Sequence, residues 1–206
     1  MEYTNECQTF NSLDKVHLIE PYDRWKELYT ADEDQLSPFY GRTYHESECH
    51  NTIYNYYIHP QWDEFGSSTL YIKILFVDYV KQFAIIEIMG EWNDCIYNDI
   101  MYLKRNVADL LVQENINHFI IIGENVLNFH YSDDSYYEEW FDDVEDGWIV
   151  LLNFRDHVLQ EMKRARIDYY LISTPAFQQI NWRKYLPDSL FTLINEQVSK
   201  WLNASC

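Results

Sequence analysis

The sequence predicts an α/β fold: a mixed, mostly parallel sheet with amphipathic helices, preceded by an irregular, aromatic-rich N-terminal extension. Two observations predict it. After residue 69, apolar runs of strand length alternate with stretches of helical period, in the order β-β-α-β-α-β-α-β-α. Strands joined through helices lie parallel, with the helices covering the sheet. The second observation is composition. A chain of 206 residues, 47% apolar and 17% aromatic, can bury a core and is no disordered acidic tail. The change of character at Ser67 divides it into an extension, 1–68, packed on an α/β body, 69–206.

Each element has its own signal. Pro21 suits the first turn of a short helix to Tyr29, with Tyr22, Trp25 and Leu28 on one face. Thr30 to Pro38 reads as an acidic linker. Phe39 to Gly66, rich in Tyr, His and Asn, reads as irregular structure. Leu70 to Val77 and Phe83 to Met89 are β-rich runs either side of a turn, and so form a hairpin. From Ile96 to Gln113, Ile96, Ile100, Leu103, Val107, Leu110 and Leu111 make one helical stripe. His118 to Gly123 is a buried strand, followed by an acidic, aromatic loop and a short helix. Trp148 to Phe154 is the next strand, and Asp156 to Arg166 a helix with cations at its C-terminus, where they suit the dipole. Asp168 to Ile172 is expected as a last strand. The final helix starts at a cap, Asp188 or Ser189, and buries Leu190, Ile194, Val198, Trp201 and Leu202.

The formal charge of −19 repels phosphate backbones and anionic lipids, so neither nucleic acid nor membrane is an expected partner. It attracts basic proteins or divalent cations. The start of the chain shows no signal-peptide pattern, and no apolar run approaches the ~20 residues of a transmembrane helix. Scattered cysteines without a CxxC pair fit reduced thiols, so a cytoplasmic protein is expected.

Candidate chemistry concentrates in the segment after Gly123. No Lys or Arg stands between Arg105 and Arg155, while Asp133, Asp134, Glu138, Glu139, Asp142, Asp143, Glu145 and Asp146 crowd together. In open α/β sheets, ligands collect beyond the carboxyl ends of the strands. Tyr131, Tyr136, Tyr137, Trp140, Phe141, Asp142 and Asp143 are therefore the candidate partner-binding residues. Aromatics of this kind serve equally as core, and the carboxylates as a solvated face. Ser132 and Ser135 stand at a helix start. They fit a cap, or a phosphorylation site at the helix N-terminus, which the surrounding acids would oppose. Elsewhere, His45, Cys49 and His50 are ligand types for zinc, or a thiol and its base, but match no zinc spacing. The acidic segment lacks the EF-hand pattern, and P-loop, GxGxxG, GxSxG and HExxH motifs are missing. No cofactor is expected.

The element order from Leu70 to Leu202, with the Asp134-Ser135 pair at a helix start after a strand, resembles the STAS domains of anti-sigma-factor antagonists. The resemblance implies a regulatory module whose surface around a phosphorylatable serine, here Ser135, binds a protein. Tyr136 and Tyr137 depart from the small and apolar residues of the family pattern. The sequence thus leads to a non-enzymatic interaction module, offering Tyr131 to Asp146 to a basic partner or a second copy. A metal-dependent hydrolase using the acidic loop or the His45/Cys49/His50 cluster is the alternative. A small-ligand pocket between the extension and the sheet edge is a third possibility.

Overall fold

A computed structural model describes residues 15–16, 19–45, 51–54 and 56–205. The short strands β1 (Lys15–Val16), β2 (Thr52–Ile53) and β3 (Tyr56–Tyr57) form a small sheet in the order β1-β3-β2. The main sheet comprises β4 (Leu70–Asp78), β5 (Phe83–Asn93), β6 (His118–His130) and β7 (Trp148–Leu152), paired in that order. β4 is antiparallel to β5; the β5–β6 and β6–β7 pairs are parallel. The predicted mixed, mostly parallel sheet is therefore present. Its hairpin closes because Asp78 Oδ1 accepts from Val80 N and Lys81 N at 2.9 Å each, leaving Gln82 to turn through φ 59°.

Two layers cover the sheet. On one face lie α1 (Asp99–Leu103), a π-helical turn (Lys104–Ala108), α2 (Asp109–Gln113), α3 (Ser135–Asp143) and α4 (Asp156–Arg164). They bury Ile100, Leu103, Val107, Leu111, Trp140, Val158 and Met162 against Ile72, Ile86, Phe119, Ile121 and Leu151. On the other face, α5 (Pro187–Ser205) lays Leu190, Ile194 and Val198 on Phe83, Ile85, Ile120 and Val150. Trp25 and Trp182 complete that layer. Alternate residues of each strand thus serve opposite layers, the pattern of a strand buried on both faces.

Several expectations change. The strand predicted to end at Gly123 continues to His130. Its pairing with β5 carries two irregularities, each with an extra residue on the β6 side, so buried Val126 and Phe129 stand three apart and break the two-residue period. The connection to α3 is accordingly only 131–134. Residues 168–172 are not a strand: a 3-10 turn spans Ile167–Tyr169, and only Ile172 bridges to Val150. The segment after Pro21 makes turns instead of a helix, because Tyr22 N donates to the buried Glu87 carboxylate at 2.9 Å and Trp25 is drawn into the core. Ile96 and Leu110 leave the predicted stripe for solvent, as do Trp201 and Leu202 in α5.

Candidate functional site

The carboxyl ends of β5 and β6 lead into the loops 94–98 and 131–134, and the second of these opens α3. Beneath the loops is a buried polar knot. Asp94 accepts hydrogen bonds from Tyr137 Oη at 2.6 Å, Trp92 Nε1 at 3.1 Å and Ile100 N at 2.9 Å. Asp99 accepts from Asn93 N at 2.7 Å and Thr69 Oγ1 at 3.3 Å. Burial pushes the Asp94 carboxyl up to about 6, against those hydrogen bonds, and raises Asp99 as well. Burial, followed by the Asp94 charge, lifts the Tyr137 phenol far above its ordinary range, so it stays a donor. The knot ties α3 to the end of β5 and to the start of α1.

Above the knot, α3 divides into three faces. Tyr137, Trp140 and Val144 point into the core; Trp140 packs edge-on against Phe119 with centroids 5.2 Å apart. Tyr136, Glu139 and Asp143 turn toward the π-helical turn. Arg105 holds Glu139 through paired contacts of 2.6 and 2.8 Å and lies over the Tyr136 ring. The fully buried Lys104 reaches Asp143 at 2.7 Å and also Asp109. Burial works against the Lys104 charge, but its hydrogen bonds to Asp109 and Asp143 prevail and hold its pKa above the usual value. The third face looks outward. There Phe141, 44% exposed, meets Tyr169, 75% exposed, and Tyr170, with centroids 6.1 and 6.0 Å away. Tyr170 Oη donates to Asp134 Oδ2 at 3.1 Å, and Glu138 and Asp142 are exposed beside it.

The structure therefore sorts the predicted residues. Tyr137 and Trp140 are core residues with 0% exposure and present nothing to a partner; their position on the sheet-facing stripe of α3 is the reason. Asp143 is engaged by Lys104, and Tyr136 is half-buried beside Arg105. Tyr131 is half-buried, its carbonyl accepting from the Cys95 thiol. Phe141 and Asp142 stand open. Ser135 is exposed at the first position of α3, where Asp133 Oδ1 accepts from its backbone N at 3.2 Å and from its hydroxyl. Donation from the Ser135 hydroxyl, then from its N–H, holds the Asp133 carboxyl below the usual carboxylate range.

Tyr169, Tyr170, Lys104 and Arg105 escaped sequence reasoning. The tyrosines sit in the stretch that resembles a strand. Lys104 carried a usable signal: it lies directly beside Leu103 on the buried stripe, so a charge there requires a buried counter-ion. The supply is Asp109 on the following turn and the acidic segment, which holds no Lys or Arg of its own. Of the His45/Cys49/His50 cluster, Cys49 and His50 lie outside the described residues, while His45 lines a shallow recess of about 300 Å³ with Arg42, Tyr44 and Asp63. Among the described residues, no group of three or more His, Cys, Asp or Glu side chains is arranged to hold a metal ion. No described helix is long and apolar enough to cross a membrane. No protein-family model matches the chain, and no curated protein is similar to it.

Proposed function

We propose that the chain is a non-enzymatic, cytoplasmic interaction module of STAS-like type, whose outward face of α3 docks a basic protein. The observation that supports this most is the Phe141–Tyr169–Tyr170 cluster, aromatic surface left in water and rimmed by Asp134, Glu138 and Asp142. Apolar area buried there contributes affinity, at roughly 25 cal/mol per Å² before association costs. The rim carboxylates set approach rate and orientation. The inner flank of the helix has its own cations, so only the outer flank needs a positive partner. A two-fold pairing of this face with itself would set like charges against each other, which favours a basic partner over a second copy.

The test is affinity capture with the intact chain, compared with a Phe141→Ala/Tyr169→Ala double variant. Both side chains are exposed enough that stability should change by less than about 0.5 kcal/mol each. The expected result is a specific basic protein, retained at low salt, released as salt rises, and lost from the double variant. Retention of the same protein by both forms, or of none by either, removes this reading.

A further inference from the structure

We infer, on the basis of the docking face described above, that the basic partner anchors there through arginine side chains and not lysine. Each guanidinium lies over an exposed ring of Phe141 or Tyr169 and pairs with a carboxylate of α3.

The molecule's own cations show which setting each kind occupies. Among the described residues, three arginines combine an aromatic face with a carboxylate. Arg42 lies 4.3 Å over Phe39 and meets Asp63 at 3.1 Å. Arg183 lies 4.3 Å over Trp182 and meets Glu124 at 2.5 Å. Arg105 lies 5.4 Å over Tyr136 and holds Glu139 with two nitrogens. All three side chains stay open to water, at 38%, 42% and 46% exposure. Lys73 makes a comparable pairing, over Tyr44 and onto Asp63, but its side chain is only 14% exposed. Hydration explains the division. An ammonium is strongly hydrated, and it stacks well on a ring where the fold has already removed its water. The planar guanidinium holds water weakly and offers paired N–H groups to a carboxylate.

The outer flank of α3 is a half-open setting of the arginine kind. Asp134, Glu138 and Asp142 recur every four residues, so they stand about 6 Å apart along one side of the helix. Phe141 and the more exposed Tyr169 flank that row, and their tilted packing with Tyr170 leaves ring surface in water. Arg105 and Lys104 serve the inner flank, at Glu139 and Asp143; among the described residues no cation pairs with Glu138 or Asp142. The inner flank is also the closest precedent. Tyr136 and Glu139, three residues apart, are taken together by Arg105. Glu138 and Phe141, also three apart, offer the same reach to a partner's arginine.

The test is an amide-resolved NMR titration of the full chain at low salt. The probes are two peptides of equal charge, blocked tetra-arginine and blocked tetra-lysine. Both should shift amides in 134–142 and 167–172, with tetra-arginine bound about fivefold tighter, which is about 1 kcal/mol. A Phe141→Leu/Tyr169→Leu variant keeps apolar bulk but loses both rings, and should bind the two peptides equally. Glu138→Gln/Asp142→Asn should weaken both; no weakening places the contact elsewhere and overturns the arginine anchor. Equal affinities in the parent overturn it and leave the docking face standing. A preference that survives the leucine variant overturns it as well, since it then arises elsewhere on a surface of charge −19. Shifts from neither peptide overturn it too, and affinity capture then decides separately whether the face docks a protein by other means.

Discussion

Tyr137 shows how one hydroxyl organises the end of the sheet. Its ring is wholly buried and stacked 6.2 Å from Trp92, and its Oη donates to Asp94, which in turn receives the N–H of Ile100 at the start of α1. Removing the hydroxyl leaves a buried carboxylate short of a donor, the costly half of a broken pair. Tyr137→Phe should therefore lower the unfolding free energy by about 1–3 kcal/mol, read from urea titration. A loss below about 0.5 kcal/mol, the range of ordinary surface changes, would contradict the role given to Asp94. Gly123 offers a second residue-scale case. A Cβ there would stand 2.3 Å from the Phe154 ring, so the smallest side chain is a packing requirement at the point where β6 leaves its pairing with β7.

At the scale of elements, α3 depends on a neighbour for its charges. Lys104 is placed on the buried stripe, within a π-helical turn that widens the helix and directs Lys104 and Arg105 together toward Glu139 and Asp143. Lys104→Met leaves Asp143 without its cation, while Asp109 keeps only Arg105 at 2.9 Å. Breaking a fully buried pair costs about 3–5 kcal/mol; Asp143 still reaches water, so we expect about 1–3 kcal/mol, with amide exchange in 135–143 accelerated more than in the sheet. Uniform exchange rates across α3 and the sheet would refute this coupling. The same elements show what the sequence could convey. The hairpin, the sheet-facing side of α5 and the parallel pairing of β6 with β7 follow local periods, and those were legible. β6 beyond Gly123 was not, because its extra residues shift the side that faces the core. Asp168 to Ile172 has strand composition, yet Tyr169 and Tyr170 turn to Phe141, and the stretch makes a 3-10 turn instead. At the site, Phe141 and Asp142 could be read as exposed. Tyr137 and Trp140 could not be told from rim aromatics until the helix had a fixed rotation about its axis.

For the whole molecule, the two buried carboxyls Glu87 and Asp94 favour acidic conditions, while His118, whose pKa burial lowers, pulls the other way. Glu87 is buried in the centre of the sheet, and burial pushes its carboxyl up to about 7, against the hydrogen bond from Tyr22 N and the nearby Arg183 guanidinium. Glu124 competes for the same cation, which it meets at 2.5 Å. Asp94, raised to about 6, behaves alike. Both groups hold protons more tightly folded than unfolded, so their stabilisation is full below about pH 4 and is lost as pH rises through 6 and 7. The surface, at −19, adds self-repulsion that also relaxes on acidification. Unfolding free energy should therefore rise between pH 8 and pH 5, by on the order of a few kcal/mol, since each pH unit of displacement is worth about 1.4 kcal/mol. Salt separates the two contributions. Screening at high ionic strength removes most of the surface part, whereas a proton on Glu87 lies out of reach of counter-ions. Glu87→Gln, which keeps an acceptor for Tyr22 N but cannot ionise, should make the remaining pH dependence between 5 and 8 in high salt shallower, leaving the part that belongs to Asp94. If the variant and parent curves stay parallel there, the buried carboxylate is not the group that titrates.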